Sequence, residues 1–169
     1  SYSNSNISFL EVKSRNVYGR SKKERIQRTS EKWDSPFTLE EKEFLSNCVP
    51  FARELRPVLY SSYSRFTIAN ISRGERITFD TNLEYKTITG ERYKPLEGLA
   101  IVELKQGETD RRSPLHRIFR ERKDRRAPLG RTIRISKYIL GRLHTNKNLS
   151  ARAYLESLKE LTRAKYVGE

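Results

Sequence analysis

Polar and apolar residues alternate along several segments of the chain, as strand side chains do when they point to opposite faces of a sheet. In "FLEVKSRN" (9–16), the alternation puts Glu11 and Lys13 on one face and apolar residues on the other. The segment "AIVELKQ" (100–106) repeats the pattern, with a glutamate and a lysine again sharing a face. The chain therefore carries charged strand faces, and the question is what these faces contact.

The alternation and the richness in β-branched and aromatic residues predict several strands. The first two are expected to form a hairpin with a loop of moderate length around Gly19. The segment "RGE" (73–75) is expected to form another turn. The predicted strands cover residues 7–14, 22–28, 58–70, 76–81, 83–89 and 98–106.

Helical patterns take over in the second part of the chain, after one early helix. That early helix lies within 35–48, where Thr38 and Glu41 have the spacing of a capping box. Strands followed by helices indicate an α+β domain with an antiparallel sheet. We predict one domain over 1–169, of which 113–169 is the helical C-terminal part. The later predicted helices cover residues 113–126, 135–145 and 150–166.

Five predicted strands carry a polar, mostly cationic face backed by an apolar one. The ordinary interpretation is an antiparallel sheet with one face in water. The alternative is a curled sheet whose charged faces surround a shared lumen. A lumen lined by Lys and Arg, with a carboxylate to hold Mg²⁺ or Mn²⁺, suits a phosphate chain.

The charge balance requires a polyanionic partner. The 169 residues contain 35 Lys+Arg against 21 Asp+Glu, a formal charge of +14. Nucleic acid, a phosphate-rich ligand and an anionic membrane surface all remain open at this point. No apolar run is long enough to span a membrane, and one cysteine excludes an internal disulfide. We expect a cytoplasmic location.

Four segments together resemble a known family. "FLEVKSRNVYGRSKKERI", "YSRFTIANISRGERITFDTNLEY", "AIVELK" and "ISKYILG" are similar, in order and spacing, to the VTC domain. This is the polyphosphate polymerase domain of the triphosphate tunnel metalloenzyme, or CYTH-like, superfamily. The resemblance covers residues 7 to about 145. It implies an antiparallel sheet curled into a triphosphate tunnel barrel, complete or incomplete, flanked by helices.

The resemblance also assigns roles by position. It implies that cations of the tunnel grip the nucleotide triphosphate or the growing polyphosphate, and that Glu103 binds the metal. The cations expected to act in catalysis are Lys13, Lys23, Arg65, Arg76 and Lys137. The phosphate-binding set contains these five and, in addition, Arg25, Lys105 and Arg134.

Three carboxylates have structural alternatives. A buried glutamate beside lysines is more often an ion-pair partner than a metal ligand, which is the alternative for Glu103. Asp80 is expected to cap a turn or to pair with an arginine. Glu11 is expected to orient Lys13 or a neighbouring arginine.

The function implied by the resemblance is transfer of the γ-phosphate of ATP onto a polyphosphate chain, with Mg²⁺ or Mn²⁺. The alternatives are a non-catalytic phosphate or polyphosphate sensor, a tripolyphosphatase and a basic nucleic-acid-binding module. The last is disfavoured because the tyrosines are scattered rather than clustered on one sheet. In that alternative the basic run "FRERKDRR" (119–126) would contact the nucleic acid.

Two features suggest a chain trimmed at its N-terminus. The sequence lacks methionine, and the family's earlier strands, with a further lysine and an Arg-x-Arg pair, have no counterpart upstream of Tyr2. Full catalytic activity is therefore expected of the intact parent. The missing strands would leave an exposed sheet edge, which invites self-association.

Overall fold

The chain divides into two compact units, Ser1–Arg56 and Pro57–Glu169. In the part of the chain that is described, no helix is both long and apolar enough to cross a membrane. A computed structural model describes residues 7–15, 21–28, 35–107, 110, 112–114 and 133–166.

The first unit contains an antiparallel hairpin and a helix. Strand β1 (Ser8–Arg15) pairs with β2 (Ser21–Arg28) in continuous register, so the predicted hairpin is confirmed. The predicted turn at Gly19 lies outside the described residues. Because paired residues share a face in an antiparallel ladder, the register decides which charges are neighbours.

Helix α1 (Leu39–Cys48) begins at the predicted capping box. The Glu41 N–H donates to Thr38 Oγ1 at 3.2 Å, and the Thr38 N–H donates to Glu41 Oε2 at 3.0 Å. Glu41 also accepts the Nε–H of Arg28, the last residue of β2, at 2.8 Å. Both side chains of this ion pair are almost fully buried, so α1 is joined to β2 by a buried pair of charges.

The second unit is built on a long central strand. Strand β3 (Tyr60–Asn70) pairs along the length of β4 (Glu75–Lys86). On its other edge β4 pairs with two strands in turn, β5 (Arg92–Tyr93) near its end and β6 (Ile101–Gln106) near its start. All of these pairings are antiparallel, which confirms the predicted sheet type.

The prediction of separate strands over 76–81 and 83–89 is wrong, because one strand, β4, covers the first segment and continues into the second as far as Lys86. The register of β4 against β3 shifts between Thr81 and Glu84, where β4 has one residue more than β3. Asn82 lies in this bulge with φ 53°, a conformation that Asn tolerates better than most residues. The bulge lets the strand continue while the alternation of its faces changes phase.

The change of phase places the core of the unit. Without it, Leu83 and Tyr85 would lie on the face opposite Asp80; with it, they lie on the same face. These two residues form the buried core with Leu96 and with Leu140 of helix α2 (Lys137–Thr145). Helix α3 (Leu155–Tyr166) adds Leu158 and Leu161 at the margin of this core.

The structure shows a mixed α/β fold with antiparallel sheets flanked by helices, and this part of the predicted fold class is confirmed. The described strands form two sheets, neither of which closes into a barrel. Strand β3 pairs only with β4 among these strands, so its other edge is available. Self-association through that edge stays a prediction. Most of the predicted helix 113–126 lies outside the described residues.

Candidate functional site

The first unit collects its predicted site residues on one face of the hairpin. Lys13 lies directly opposite Lys23, and Glu11 lies opposite Arg25. The Lys23 ammonium is 2.6 Å from Glu11, and the Arg25 guanidinium lies 4.6 Å from the centroid of the Phe9 ring. Glu11 thus pairs with Lys23, whereas we expected it to orient Lys13 or an arginine. Within the described residues, Lys13 makes no ion pair.

The second unit collects the other predicted strand residues in the same way. Arg76 lies opposite Ala69 on β3 and Lys105 on β6. Thr78, the next residue on that face, lies opposite Thr67 and Glu103, and Asp80 lies opposite Arg65 and Ile101. The register therefore brings the predicted cations and Glu103 onto one face of one sheet. We call this surface the polar face; its charged members are Arg65, Arg76, Asp80, Glu103 and Lys105.

Part of the polar face is buried, which a sheet with one face simply in water does not explain. Thr78 is 2% exposed and Asp80 is 1% exposed. On the opposite face, Phe66 is 64% exposed. Burial of polar groups is costly unless they are paired, so the partners of the two buried residues matter.

Asp80 binds two cations from different elements. Arg65 of β3 donates to it through Nε at 2.6 Å and Nη2 at 2.7 Å, a two-bond geometry typical of strong arginine–carboxylate pairs. Lys137, the first residue of α2, places its ammonium 2.5 Å from Asp80 Oδ2. Burial raises the pKa of Asp80, but the bonds from Arg65 and Lys137 outweigh it and hold that pKa below its ordinary value. This side chain is therefore ionised near neutral pH.

Tyr63 lies beside the same two cations. Its ring centroid is 5.2 Å from the Arg65 guanidinium and 4.9 Å from the Lys137 ammonium, within the range of cation–π attraction. Tyr63 was not among the predicted site residues. Its spacing of two residues from Arg65 on a strand is the signal that could have found it.

The other end of the polar face is cationic and less neutralised. The Lys105 ammonium is 3.4 Å from Glu103, and both side chains are about half exposed. Among the residues described, Arg76 has no ion-pair partner. The hydroxyl of Thr78 is buried without a hydrogen-bond partner. Two adjacent cations, of which only Lys105 is paired with a carboxylate, can bind a phosphate group between them.

Arg134 and Lys137 lie at the start of α2. The helix begins at Ser136, whose Oγ accepts the Ile139 N–H at 3.1 Å. Arg134 is exposed, and its main-chain N–H donates to Ser157 Oγ at 3.2 Å. The structure thus brings Lys137 into contact with Asp80 on the polar face, whereas among the described residues no hydrogen bond or ion pair joins Arg134 to that cluster.

Glu103 suits a metal that arrives with its phosphates. Mg²⁺ is usually held by one or two carboxylates and by oxygens of the substrate phosphates. One half-exposed carboxylate beside Arg76 and Lys105 is compatible with that arrangement. In the described part of the chain, no group of three His, Cys, Asp or Glu side chains could hold a metal by itself.

The comparisons with known proteins give one match. The sequence model of the VTC domain family matches residues 1–146. No curated protein matches the chain, and no solved structure does.

Proposed function

Since the chain belongs to the VTC domain family, we propose that it is a polyphosphate polymerase-type domain that uses ATP. Membership by itself gives a polyphosphate-related function. The observation that carries the finer proposal is the polar face, where cations from β3, β4 and β6 share one face of the sheet with a glutamate. Such a surface can hold a chain of phosphates at several points.

In the proposed reaction the terminal oxygen of a polyphosphate chain attacks the γ-phosphorus of ATP. A new P–O bond forms, the bond between that phosphorus and the β,γ-bridging oxygen breaks, and ADP leaves with the bond's electrons. Catalysis of this reaction consists mainly of positioning and charge stabilisation. The cations of the polar face are suited to both, because they carry positive charge and are held on paired strands of one sheet.

We assign the roles as follows. The polar face, with Lys137 beside Asp80, binds phosphates of the nucleotide or chain through Arg65, Arg76, Lys105 and Lys137. Arg134, just before α2, is a further phosphate contact. The cationic face of the hairpin provides a second set of contacts through Lys13, Lys23 and Arg25. Glu103 would hold Mg²⁺ or Mn²⁺, which when bound supplies positive charge to phosphate oxygens.

We further propose that the polar face lines a tunnel in the functional protein. The support is that Arg65, Arg76, Glu103 and Lys105 lie on the same face of the sheet, as a lumen requires, and that Thr78 and Asp80 of that face are buried. Phosphates inside a tunnel would interact with the cations in a medium of low dielectric constant, where the attraction is stronger than in water.

The test is polyphosphate synthesis from ATP in the presence of Mn²⁺. We expect Lys13→Ala and Arg76→Ala each to lower the rate at least tenfold, because each removes a charge that contacts phosphate. Arg92→Ala is the matched control, since Arg92 is an exposed arginine that pairs with Glu84, and its register places it on the other face of the sheet. Unchanged rates for both Lys13→Ala and Arg76→Ala would show that the site is elsewhere.

A second candidate function is phosphate or polyphosphate binding without catalysis. The observation that favours it is the ion pair between Glu103 and Lys105, which gives the glutamate a structural role that needs no metal. A sensor would bind polyphosphate in calorimetry without consuming ATP, and Glu103→Gln would retain this binding. For the polymerase, Glu103→Gln should abolish synthesis while leaving polyphosphate binding within a few-fold of the wild type.

A further inference from the structure

Asp80 is a negative charge at the centre of a surface proposed to bind anions. Its side chain is fully buried, whereas Arg65 is 36% exposed and Lys137 is 22% exposed. The three charges sum to +1. A carboxylate in this position either weakens anion binding by repulsion or strengthens it by holding the two cations in place.

The geometry shows that Asp80 does not release its partners easily. Arg65 is bound through two N–H groups, and Lys137 is bound to the same carboxylate. Removing one partner of a buried ion pair leaves an uncompensated charge, which is strongly unfavourable. An anion that enters the site would therefore meet Arg65 and Lys137 while they are still bound to Asp80.

While they are bound to Asp80, Arg65 and Lys137 both keep further N–H donors that a ligand can use. A guanidinium has five N–H donors, of which Asp80 takes one on Nε and one on Nη2. An ammonium has three donors, and Asp80 takes one. The ring of Tyr63 lies beside both cations and restricts where their heads can move. One buried carboxylate thus fixes two partly exposed cations from separate elements.

We propose that Asp80 is a positioning residue, which holds Arg65 and Lys137 so that their remaining N–H groups bind the same phosphate chain. The inference rests on the proposed function, since it concerns the cations assigned there to phosphate. It adds a role for a residue that would not itself touch the substrate.

The placement of α2 does not depend on Asp80 alone. The Tyr85 hydroxyl donates to the main-chain oxygen of Lys137 at 2.6 Å, and Leu140 packs into the core beside Tyr85. Loss of the Asp80 charge should therefore free the side chain of Lys137 while the helix stays in place. The effect on binding can thus be separated from the effect on folding.

Simple electrostatics and positioning predict opposite results for Asp80→Asn. The substitution removes a negative charge from a cationic surface, so electrostatics alone predicts tighter binding of a polyanion. Positioning predicts weaker binding, because Arg65 and Lys137 lose their fixed arrangement and must be ordered by the ligand.

Calorimetry with inorganic tripolyphosphate as the probe distinguishes these results. We expect Asp80→Asn to raise Kd at least tenfold. Glu84→Gln is the matched control, because it removes a carboxylate from the same strand that is engaged with Arg92 at 2.7 Å and lies on the other face by register. We expect its Kd to stay within twofold of the wild type. An equal or lower Kd for Asp80→Asn would overturn the inference.

A double-mutant cycle tests whether Asp80 acts through its partners. In a Lys137→Met background, Asp80→Asn should raise Kd much less than in the wild type, because one of the two cations that it positions is gone. A general loss of structure would instead give the same factor in both backgrounds. That result would overturn the inference.

The wild-type chain gives a test that needs no substitution. The Arg65 Nε–H should be protected from solvent exchange in NMR spectra, and it should stay protected when tripolyphosphate saturates the site. Loss of protection on binding would overturn the inference, since it would mean that the ligand displaces Asp80. Failure of the wild type to bind tripolyphosphate would instead overturn the proposed function, and the inference with it.

Discussion

Gly141 of α2 and Tyr85 of β4 together determine how closely the helix lies to the sheet. Tyr85 is fully buried on β4, and burial raises the pKa of its phenol, so the hydroxyl stays protonated and donates to Lys137. A Cβ at position 141 would lie 2.5 Å from the Tyr85 ring and 2.5 Å from Leu59 Cδ2. Only glycine lets α2 approach the sheet this closely, which is what brings Lys137 to Asp80.

Gly141→Ala should therefore destabilise the protein. Overpacking of a core costs about 1–3 kcal/mol, and the better helix propensity of alanine returns only about 1 kcal/mol. Contacts as short as 2.5 Å place the overpacking cost at about 2–3 kcal/mol, the upper part of that range, so we expect a net loss of about 1–2 kcal/mol in the free energy of unfolding, measured by urea denaturation. Gly107→Ala is the control, because a Cβ there meets nothing within 4 Å; an equal loss in both variants would contradict the packing argument.

At the scale of elements, β2 and α1 are joined by a buried pair of charges. The buried pair of Arg28 and Glu41 is part of the helix cap, since Glu41 also accepts the Thr38 N–H. Burial raises the pKa of Glu41, but the bonds from Arg28 and from the Thr38 N–H lower it below the ordinary value of 4.5. One carboxylate thus both begins the helix and attaches it to the hairpin.

This pair predicts a loss of stability in acid. A carboxyl group whose pKa is lower in the folded state stabilises the fold above its unfolded pKa, and this contribution disappears as pH falls through the folded value. Glu41 should therefore contribute fully at neutral pH and progressively less below about pH 4.5. Removing one partner of a buried pair costs about 3 kcal/mol or more, so Glu41→Gln should be less stable at pH 7.

The measurement is thermal unfolding between pH 7 and pH 3. The difference in Tm between the wild type and Glu41→Gln should shrink as the pH falls. At low pH the wild type loses the stabilisation by the Glu41 charge, which the variant lacks at every pH. Glu43→Gln is the control, since Glu43 lies on the exposed side of the same helix. A difference that stayed constant with pH would contradict the role of the Glu41 charge.

At the scale of the whole molecule, the formal charge of +14 attracts polyanions of every kind, so net charge cannot select a ligand. Selectivity for one polyanion over another has to come from the arrangement of the cationic side chains. In each unit the predicted cations lie on one face of a sheet, which gives a phosphate chain several neighbouring contacts. A long duplex, by contrast, needs a wide exposed surface.

Binding of polyphosphate should weaken steeply with salt, because each phosphate contact releases counterions. Between 50 mM and 200 mM NaCl we expect Kd to rise about tenfold or more, by analogy with other polyanions. Arg76→Ala should show a smaller dependence than Arg92→Ala. Duplex DNA of equal charge should bind more weakly than polyphosphate at either salt concentration; the opposite order would favour the nucleic-acid-binding alternative.

Much of the local structure follows from the sequence because its causes are local. The capping box at Thr38 and Glu41 is a matter of spacing along the chain, and it is present. Alternation placed Glu103 and Lys105 on one strand face, and they form an ion pair. The family resemblance also rested on short segments and their order, and the family match agrees with it.

The bulge at Asn82 shows where this reasoning stops. The sequence pattern predicted two separate strands, over 76–81 and 83–89. In the structure, residues on the two sides of Asn82 follow different phases of alternation. Only pairing with β3 shows that one strand accommodates both phases. As a result, the apolar core around Tyr85 and the charged residues around Asp80 share a face, which alternation alone would have kept apart.

The sequence by itself determined the faces of the uninterrupted strands, the start of α1 at its capping box, the excess of positive charge and the family, since each depends on residue type and spacing. Only the tertiary structure decided which charges meet. Asp80 and Lys137 are distant in sequence and are joined because a bulge turns β4 and a glycine lets α2 approach it. Contacts of this kind depend on how elements pack, and packing is a property of the whole chain rather than of any segment.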